Sequence, residues 1–386
     1  MVLRQNTCMD NEIKILFTSD VHLGIDEDSS PIPGIVRLNT FRRMTELAAD
    51  HDILLIAGDL IDNTGIDTGT RQIIADEFRN LREKGTEILY TPGRGELTAE
   101  KSVADFLSSF HASHIFSNPA ESGPRMYTKN DQTLYIYGMP AATDTDISDI
   151  RKASDDGFHI GLFHADINYQ AGEPSRDVCT LQKEDIRTLG LDFYAFGYSH
   201  NFRMFKVSDR IIGAYPGTPE ATGFQETGDR FALSITVKDN EILHIKRLTV
   251  NAIRILNVPV DCSSESSFSI LERIMEDNTS HRTLLVMELT GRRDFLIDSD
   301  MVNRHRKSYH DIIIIDRSIP SLDFLLHEHG QENTLRGEFY SLLSEKLSQD
   351  ASIDSAQRAR LTAILQIITD RDSRTLEEKL CSLLDA

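Results

Sequence analysis

The feature that most constrains this chain is a series of short apolar runs, each ending abruptly in glycine, aspartate or histidine. The first run, Ile-Lys-Ile-Leu-Phe-Thr-Ser-Asp at residues 13–20, is followed by Val21 and His22. An apolar run broken by loop residues predicts a buried strand of a parallel sheet. In open α/β sheets, ligands bind just beyond the carboxyl ends of such strands. Asp20 and His22 are therefore candidate functional residues.

Four later runs end in comparable residues, and each end falls where a loop must begin. These ends are Gly58-Asp59-Leu60-Ile61-Asp62, Gly93-Arg94-Gly95-Glu96, His164-Ala165-Asp166 and Gly197-Tyr198-Ser199-His200. Any single one is compatible with ordinary turn chemistry, since Gly-Asp is a common turn signal and a lone histidine often has a structural role. Five sets at successive strand ends favour one shared site instead. Carboxylate and imidazole ligands together suit manganese, iron or zinc.

Strand and helix patterns alternate along the first half of the chain. Apolar residues recur at helical spacing over residues 35–50, 70–84, 100–110 and 181–188, between the strand-like runs. Between 202 and 250 the pattern changes to short alternating runs, which predict antiparallel strands that close the domain. The predicted fold class is therefore α/β, a layered β-sandwich flanked by helices.

A serine-rich stretch at residues 262–267, close to Pro259, predicts a domain boundary. Beyond it, one predicted helix and two predicted strands indicate a small α+β cap domain, followed by a helical C-terminal tail. The predicted domains are residues 1–250, a cap domain at 251–325 and a helical segment at 326–386.

Composition excludes several classes of protein. The chain has 40% hydrophobic and 26% charged residues, which is ordinary for a globular protein. It contains no apolar run long enough to span a membrane, and its first residues lack the apolar core of a signal peptide. Its four cysteines are far apart, so they indicate neither a disulfide framework nor a zinc knuckle. We therefore expect a cytoplasmic protein without a membrane partner.

The formal net charge of −20 argues against broad nucleic-acid binding by this chain alone. Proteins that hold DNA usually present a basic face, because neutralising phosphates supplies much of the affinity. Three explanations stay open. The substrate is not a polymer, a partner supplies the basic surface, or a local basic patch is hidden in the total.

The order of the strand-end motifs resembles that of the calcineurin-like metallophosphoesterases: Asp-x-His, Gly-Asp-x-x-Asp, Gly-x-x-Glu, a strand-end histidine and Gly-x-x-His. More narrowly, the chain resembles the SbcD-type DNA repair exonucleases, including their YhaO-like branch. Members of that branch carry a Tyr-Pro-Gly stretch and then Phe-x-Glu-Thr-Gly after the last metal histidine, as residues 214–228 do here. The resemblance covers residues 13–250 and implies that domain 1–250 is a nuclease-like metallophosphoesterase sandwich.

The resemblance also implies a cofactor and a set of ligands. In that family two metal ions, usually manganese (Mn2+), share a bridging carboxylate and activate a water to attack a phosphodiester. By the resemblance, Asp20, His22 and His200 would hold the first ion, and Asp59 would bridge the two ions. His164 would hold the second ion, and the acidic residues Asp62 and Glu96 would orient the histidines.

Two motifs depart from the family pattern. The third, Gly-Asn-His-Asp in the family, is Gly93-Arg94-Gly95-Glu96 here, and the last, Gly-His-x-His, is Gly197-Tyr198-Ser199-His200. By the resemblance, the Asn of the third motif and the first His of the last motif bind the second ion. The His of the third motif protonates the leaving group or steadies the transition state, and all three residues are absent here. We therefore expect one ion instead of two, and impaired chemistry.

Arg94 is a candidate substitute for the second ion. A guanidinium can neutralise the same carboxylate through a bidentate bond, and it also offers donors to a bound phosphate. The alternative is that Arg94 points to solvent.

Two classes of function follow from these motifs. The first is a divalent-metal phosphodiesterase or DNA exonuclease of SbcD type acting in DNA repair. The second is a catalytically inactive nuclease-fold subunit that scaffolds an SMC-like ATPase or positions DNA. A small-molecule phosphatase is a more distant third.

The resemblance also implies partners. Relatives work with an SMC-like ATPase of the SbcC or YhaN type and dock to it through helices after the cap domain. Here residues 334–347 and 356–368 have amphipathic spacing, although such helices often pack on their own domain. DNA would then bind with the partner's help, and a homodimer stays open.

Overall fold

The computed structural model describes most of the chain. The described residues are 11–62, 66–97, 108–117, 123–139, 150–154, 156–168, 180–207, 209–263, 268–349 and 354–369. By its internal contacts the chain divides into two compact units, Met1–Ile255 and Leu256–Ala386. The three-domain division stays a prediction, and most of the predicted helix at 100–110 lies outside the described residues.

Fourteen strands are described in the first unit, and twelve of them form two six-stranded sheets. They are β1 (Ile13–Thr18), β2 (Ile53–Ala57), β3 (Glu87–Thr91), β4 (His114–Ile115), β5 (Arg125–Lys129), β6 (Gln132–Met139), β7 (Phe158–His164), β8 (Asp166–Asn168), β9 (Thr180–Gln182), β10 (Phe193–Gly197), β11 (Arg203–Val207), β12 (Arg210–Tyr215), β13 (Phe231–Lys238) and β14 (Glu241–Thr249). One sheet has the order β14-β13-β1-β2-β3-β4 and the other β11-β12-β10-β7-β6-β5, while β8 and β9 form a separate pair.

The described helices of the first unit are α1 (Gly34–Ala48), α2 (Thr68–Glu83), the short α3 (Arg94–Leu97) and α4 (Lys183–Leu189). Strand β1 shows how the layers arise. Its Ile15 and Phe17 are fully buried in the cluster between the two sheets, whereas Leu16 points the other way, into the cluster formed with α1 and α2. Successive strand residues face opposite sides of a sheet. An apolar run without alternation therefore requires cover on both faces, and the predicted α/β sandwich is confirmed.

The central strands bring their carboxyl ends to a common edge. Strand β2 is parallel to β1 and β3, and β10 is parallel to β7. The register pairs Ala57 with Thr91 in one sheet and Gly197 with His164 in the other, so the strand ends are level. The five strand-end motifs therefore begin at one edge of the sandwich.

One strand direction differs from the prediction for residues 202–250. Strand β12 is antiparallel to β11, as expected, but it is parallel to β10, where Tyr194 pairs with Gly213. Alternation of polar and apolar residues reports which face is buried and carries no information about the direction of the neighbouring strand. The prediction of antiparallel strands was therefore wrong for this pair.

The second unit has an α+β part and a helical part. Its described elements are β15 (Arg254–Asp261), α5 (Ser269–Asp277), β16 (Ser280–Thr290), β17 (Arg292–Arg293), α6 (Ser299–Arg306), β18 (Tyr309–Asp316), β19 (Ile319–Pro320), α7 (Leu322–Gly330), α8 (Leu335–Gln349) and α9 (Ser355–Thr369). Strands β15, β16 and β18 form one sheet, and Leu325, Tyr340 and Leu365 share a core among the last three helices. Within the described residues, no helix has the length and apolarity needed to cross a bilayer.

Candidate metal centre

The loops after β1 and β2 continue the pairing of their strands. The Asp20 amide donates to the Gly58 carbonyl oxygen at 3.0 Å, and the His22 amide donates to the Asp59 carbonyl oxygen at 2.9 Å. Asp20, His22 and Asp59 all have left-handed backbones, with φ of 53°, 51° and 49°. Aspartate and histidine are among the residues that enter this region most readily. The two hydrogen bonds hold both loops side by side with their polar side chains at the sheet edge.

The structure brings together all five residues that the sequence predicts as metal ligands. Asp20, His22 and His200 form one group, and Asp20, Asp59 and His164 form another, with ligand atoms within 4.8 Å of one another in each group. The two described groups share Asp20, whereas the resemblance assigned the bridging role to Asp59. Asp59 Oδ2 nevertheless lies 3.5 Å from His164 Nε2 and 3.9 Å from His22 Nε2. Both carboxylates therefore stand between the histidines.

All three imidazoles turn the same ring nitrogen toward the centre. Their Nδ1 atoms contact oxygens of Asp62, Glu226 and Ala57 at 2.9, 2.7 and 3.0 Å. Carboxylate and carbonyl oxygens can only accept, so each Nδ1 carries the hydrogen and each Nε2 presents a lone pair. The Nε2 atoms of His22 and His200 are only 3.3 Å apart. Two facing lone pairs repel each other, and a bound cation relieves that repulsion, so the donor set fits a divalent metal ion.

The electrostatics of the site favour a cation as well. Burial alone would lower the pKa of His22, but the hydrogen bond to Asp62 and the charges of Asp59 and Asp20 outweigh it and raise that pKa. The pKa of His164 is raised in the same way, because the lowering by burial is outweighed by the charges of Asp59 and Asp20. Burial raises the pKa of Asp20, whose side chain is fully buried. The negative field that raises the pKa of the histidines also attracts a metal ion.

Glu96 holds the loops after β2 and β3 together. Its carboxylate accepts hydrogen bonds from the backbone amides of Asp59, Ile61 and Gly93 at 3.0, 2.9 and 2.7 Å. Burial and the nearby charge of Asp59 raise its pKa to about 7. The resemblance implied that Glu96 and Asp62 orient the histidines. Asp62 does contact His22, whereas Glu96 binds three backbone amides, among them that of Asp59, and thereby fixes the loop that carries Asp59.

Two glycines leave room for the ligands. A Cβ on Gly58, whose φ is +81°, would lie 2.0 Å from His164 Nδ1. A Cβ on Gly93 would lie 1.8 Å from Asp59 Oδ1. Only glycine permits so close an approach of the backbone to the ligand side chains.

The three positions that depart from the family pattern by the resemblance lie at the same edge. Arg94 is half-buried and begins α3 directly after Gly93, and Gly95 is exposed. Tyr198 has a φ of 101° and is 39% exposed, and its ring meets that of His164 edge to face at 6.0 Å. The Tyr198 amide donates to both carboxylate oxygens of Asp20, at 3.1 and 3.2 Å. That the Arg94 guanidinium takes the place of the second metal ion stays a prediction.

The sequence analysis missed Glu226 as a site residue. Its only signal was the Phe-x-Glu-Thr-Gly stretch, which marked a resemblance without assigning a role. The residue lies 26 positions after His200, and only the tertiary structure reveals that their side chains meet.

The fold and the donor set are those expected of a divalent-metal phosphoesterase. The family profile of the calcineurin-like phosphoesterases matches residues 13–201, and this part of the chain belongs to that superfamily. The superfamily uses divalent metals, which agrees with the two candidate ligand groups.

The chain is similar to two curated proteins and to solved structures that include a dimetal phosphatase. "Uncharacterized metallophosphoesterase YhaO" of Bacillus subtilis is 24% identical over 284 residues, which are 70% of this chain and 68% of that protein. "DNA double-strand break repair protein Mre11" of Methanopyrus kandleri is 22% identical over 236 residues, 56% of this chain and 51% of that protein. A dimetal phosphatase structure from Danio rerio covers 62% of this chain and 99% of its own, with 8% identity and a TM-score of 0.39.

Proposed function

We propose that this protein is a divalent-metal-dependent phosphodiesterase that cleaves DNA, an exonuclease of SbcD type acting in DNA repair. The observation that carries the proposal is the convergence of three Nε2 lone pairs and two aspartates at one edge of a phosphoesterase fold. The similarity to a curated DNA break repair protein supports DNA as the substrate. We take manganese as the ion, since the donors are carboxylate and imidazole.

The residues of the centre would have different roles in binding the metal and the phosphate. Asp20, His22 and His200 would hold one ion, with Asp59 and His164 beside it. A bound divalent ion polarises a phosphoryl oxygen and lowers the pKa of a bound water. Arg94, at the start of α3, would take the phosphate charge that a second ion would otherwise neutralise. Loss of a general acid costs about 10²–10⁴ in rate, so we expect slow cleavage.

A second function is favoured by the residues at positions 94, 95 and 198. If the second ion and the general acid are lost altogether, the chain serves as an inactive subunit that positions DNA or scaffolds an SMC-like ATPase of the SbcC or YhaN type. Helix α8 exposes Leu335, Phe339 and Leu342, at 88%, 48% and 56%. Such an apolar face supports docking of a partner helix. We also propose a cytoplasmic location for the protein. Whether it forms a homodimer stays open.

The decisive experiment is manganese-dependent cleavage of single- and double-stranded DNA by the purified full chain, with and without the ATPase partner. Asp59→Asn removes a carboxylate from the centre with little change in volume. Asp52→Asn is the matched control. Asp52 directly precedes strand β2, at the end opposite Asp59, and pairs with Lys129 at 2.8 Å.

We expect cleavage that needs manganese, disappears in Asp59→Asn and persists in Asp52→Asn. That result supports the phosphodiesterase and makes Arg94 a catalytic candidate. If neither wild type nor variant cleaves DNA, even with the partner, the enzyme proposal is wrong and the scaffold proposal is favoured.

A further inference from the structure

The loop between β12 and β13, residues 216–230, crosses from one sheet to the other beside the metal centre. We call it the cradle loop. Its Glu226 is 9% exposed, and one carboxylate oxygen, Oε1, contacts His200 Nδ1 at 2.7 Å and accepts from the Thr222 hydroxyl at 2.6 Å. The cradle loop therefore supplies a carboxylate to the histidine side that faces away from the metal.

The other carboxylate oxygen of Glu226 is held from within the cradle loop. Oε2 accepts from the Thr218 hydroxyl at 2.8 Å and from the Thr222 amide at 2.9 Å, and Arg230 Nη2 lies 3.5 Å away. The amide and the guanidinium can only donate. Oε2 must therefore remain an acceptor, which fixes the carboxylate before it meets His200.

The backbone of His200 is held by the same loop. The Thr218 amide donates to the His200 carbonyl oxygen at 3.1 Å, and Arg230 Nη2 donates to that oxygen as well. Ring and backbone of this one residue are thus both anchored to residues 218–230.

We propose that Glu226 is a positioning residue for the metal centre: it keeps the hydrogen of His200 on Nδ1 and so keeps the Nε2 lone pair directed at the ion. The proposal rests on the metal-dependent function proposed above. Asp62 makes the corresponding contact with His22. Carboxylate partners of ligand histidines typically change metal affinity about 10–100-fold when mutated.

The substitution Glu226→Gln tests the proposal sharply. The Thr222 amide and Arg230 require an acceptor, so the carboxamide oxygen must take the place of Oε2. The NH2 group is then turned toward His200 Nδ1 and toward the Thr222 hydroxyl, whose oxygen lies 3.1 Å from Nδ1. A hydrogen kept on Nδ1 would face that NH2 group, so we expect the ring hydrogen to move to Nε2 and the lone pair to be lost from the metal centre.

Glu220 is the matched control in the same loop. It is fully buried, and its carboxylate accepts from the Thr40 hydroxyl at 2.6 Å and from the Ala252 amide at 2.8 Å. None of the hydrogen bonds described for it reaches a candidate ligand. Glu220→Gln therefore perturbs the folding of the loop without touching His200.

Both variants are made in the full chain and measured in two ways. Manganese binding is titrated by electron paramagnetic resonance, and the ring tautomer of His200 is read by 15N NMR of the metal-free protein. We expect Glu226→Gln to weaken manganese binding about 10–100-fold and to change the tautomer. Glu220→Gln should lower the melting temperature and leave both readouts unchanged.

An unchanged tautomer and unchanged manganese affinity in folded Glu226→Gln would overturn the proposal, as would an equal loss in Glu220→Gln. If Glu226→Gln does not fold, the 15N spectrum of the metal-free wild type still decides, because a His200 hydrogen on Nε2 instead of Nδ1 would overturn the proposal. A wild-type protein that binds no manganese would refute the proposed function, while the NMR measurement would still decide the role of Glu226.

Discussion

At the scale of the residue, the metal centre depends on backbone conformations that few side chains adopt. Asp20, His22 and Asp59 are all left-handed, which costs about 1–2 kcal/mol for a residue with a Cβ. Tyr198, at a φ of 101°, lies further from the common regions, and its amide is held by the Asp20 carboxylate. Such strain accumulates where function requires one geometry. The contact between the Asp20 carboxylate and the Tyr198 amide thus helps to hold both residues in these uncommon conformations.

The number of metal ions is predicted to depend on residues 94 and 198. We expect wild type to bind one manganese ion, because by the resemblance Arg94 and Tyr198 stand at two ligand positions of the family. Arg94→Asn combined with Tyr198→His restores an amide oxygen and an imidazole, and it removes one positive charge. This double variant should bind two ions, measured by metal analysis of the dialysed protein. Each single variant serves as a control, and two ions in wild type would contradict the role given to Arg94.

At the scale of the element, His51 joins the end of α1 to the first sheet. Its Nδ1 donates to the Leu47 carbonyl oxygen at 2.8 Å, so its Nε2 accepts from the Ser234 hydroxyl on β13, also at 2.8 Å. The contact spans 183 residues of sequence. It ties a helix that covers the sheet to the strand beside β1.

Burial lowers the pKa of His51 below its usual value of 6.5, although the hydrogen bond to Leu47 and the charges of Asp50 and Asp52 oppose this and Lys14 supports it. The folded state therefore prefers neutral His51. Its contribution to stability is full above pH 6.5 and is lost as the pH falls below that value, because the unfolded chain takes up the proton first. His51→Gln should reduce this loss. Urea unfolding at several pH values measures it, and identical pH profiles would contradict the expectation.

At the scale of the whole molecule, net charge bears on the DNA binding proposed above. The chain carries 61 acidic and 41 basic residues, and the metal centre itself is formed by carboxylates and imidazoles. A bound divalent ion and Arg94 offset this charge only locally. A polyanionic substrate would therefore meet a protein of net negative charge, and a partner with a basic face would offset that repulsion.

We accordingly expect the isolated chain to bind duplex DNA with a Kd weaker than about 10⁻⁶ M at physiological salt, the range of non-specific binding. Fluorescence anisotropy with labelled duplex, with and without the proposed ATPase partner, measures this. If that partner exists, it should tighten binding, and the complex should lose affinity steeply as salt rises. Tight binding by the chain alone would indicate instead a local basic patch hidden in the total charge.

The sequence by itself determined the α/β class, the main strands and the candidate ligands, because these depend on local periodicity and on where each apolar run ends. It indicated Asp20, His22, Asp59, His164 and His200 without any knowledge of their contacts. Only the tertiary structure decided which of these residues meet. His22 and His200 are 178 positions apart, and their approach follows from sheet order.

The tertiary structure also decided the supporting contacts and one strand direction. Glu226 contacts His200, Glu96 binds backbone amides instead of a histidine, and β12 is parallel to β10. None of these has a local signature, since a glutamate in a polar loop or an alternating strand has the same pattern with any partner. The sequence therefore set the elements and the ligand types, while packing of the two sheets set the geometry in which they act.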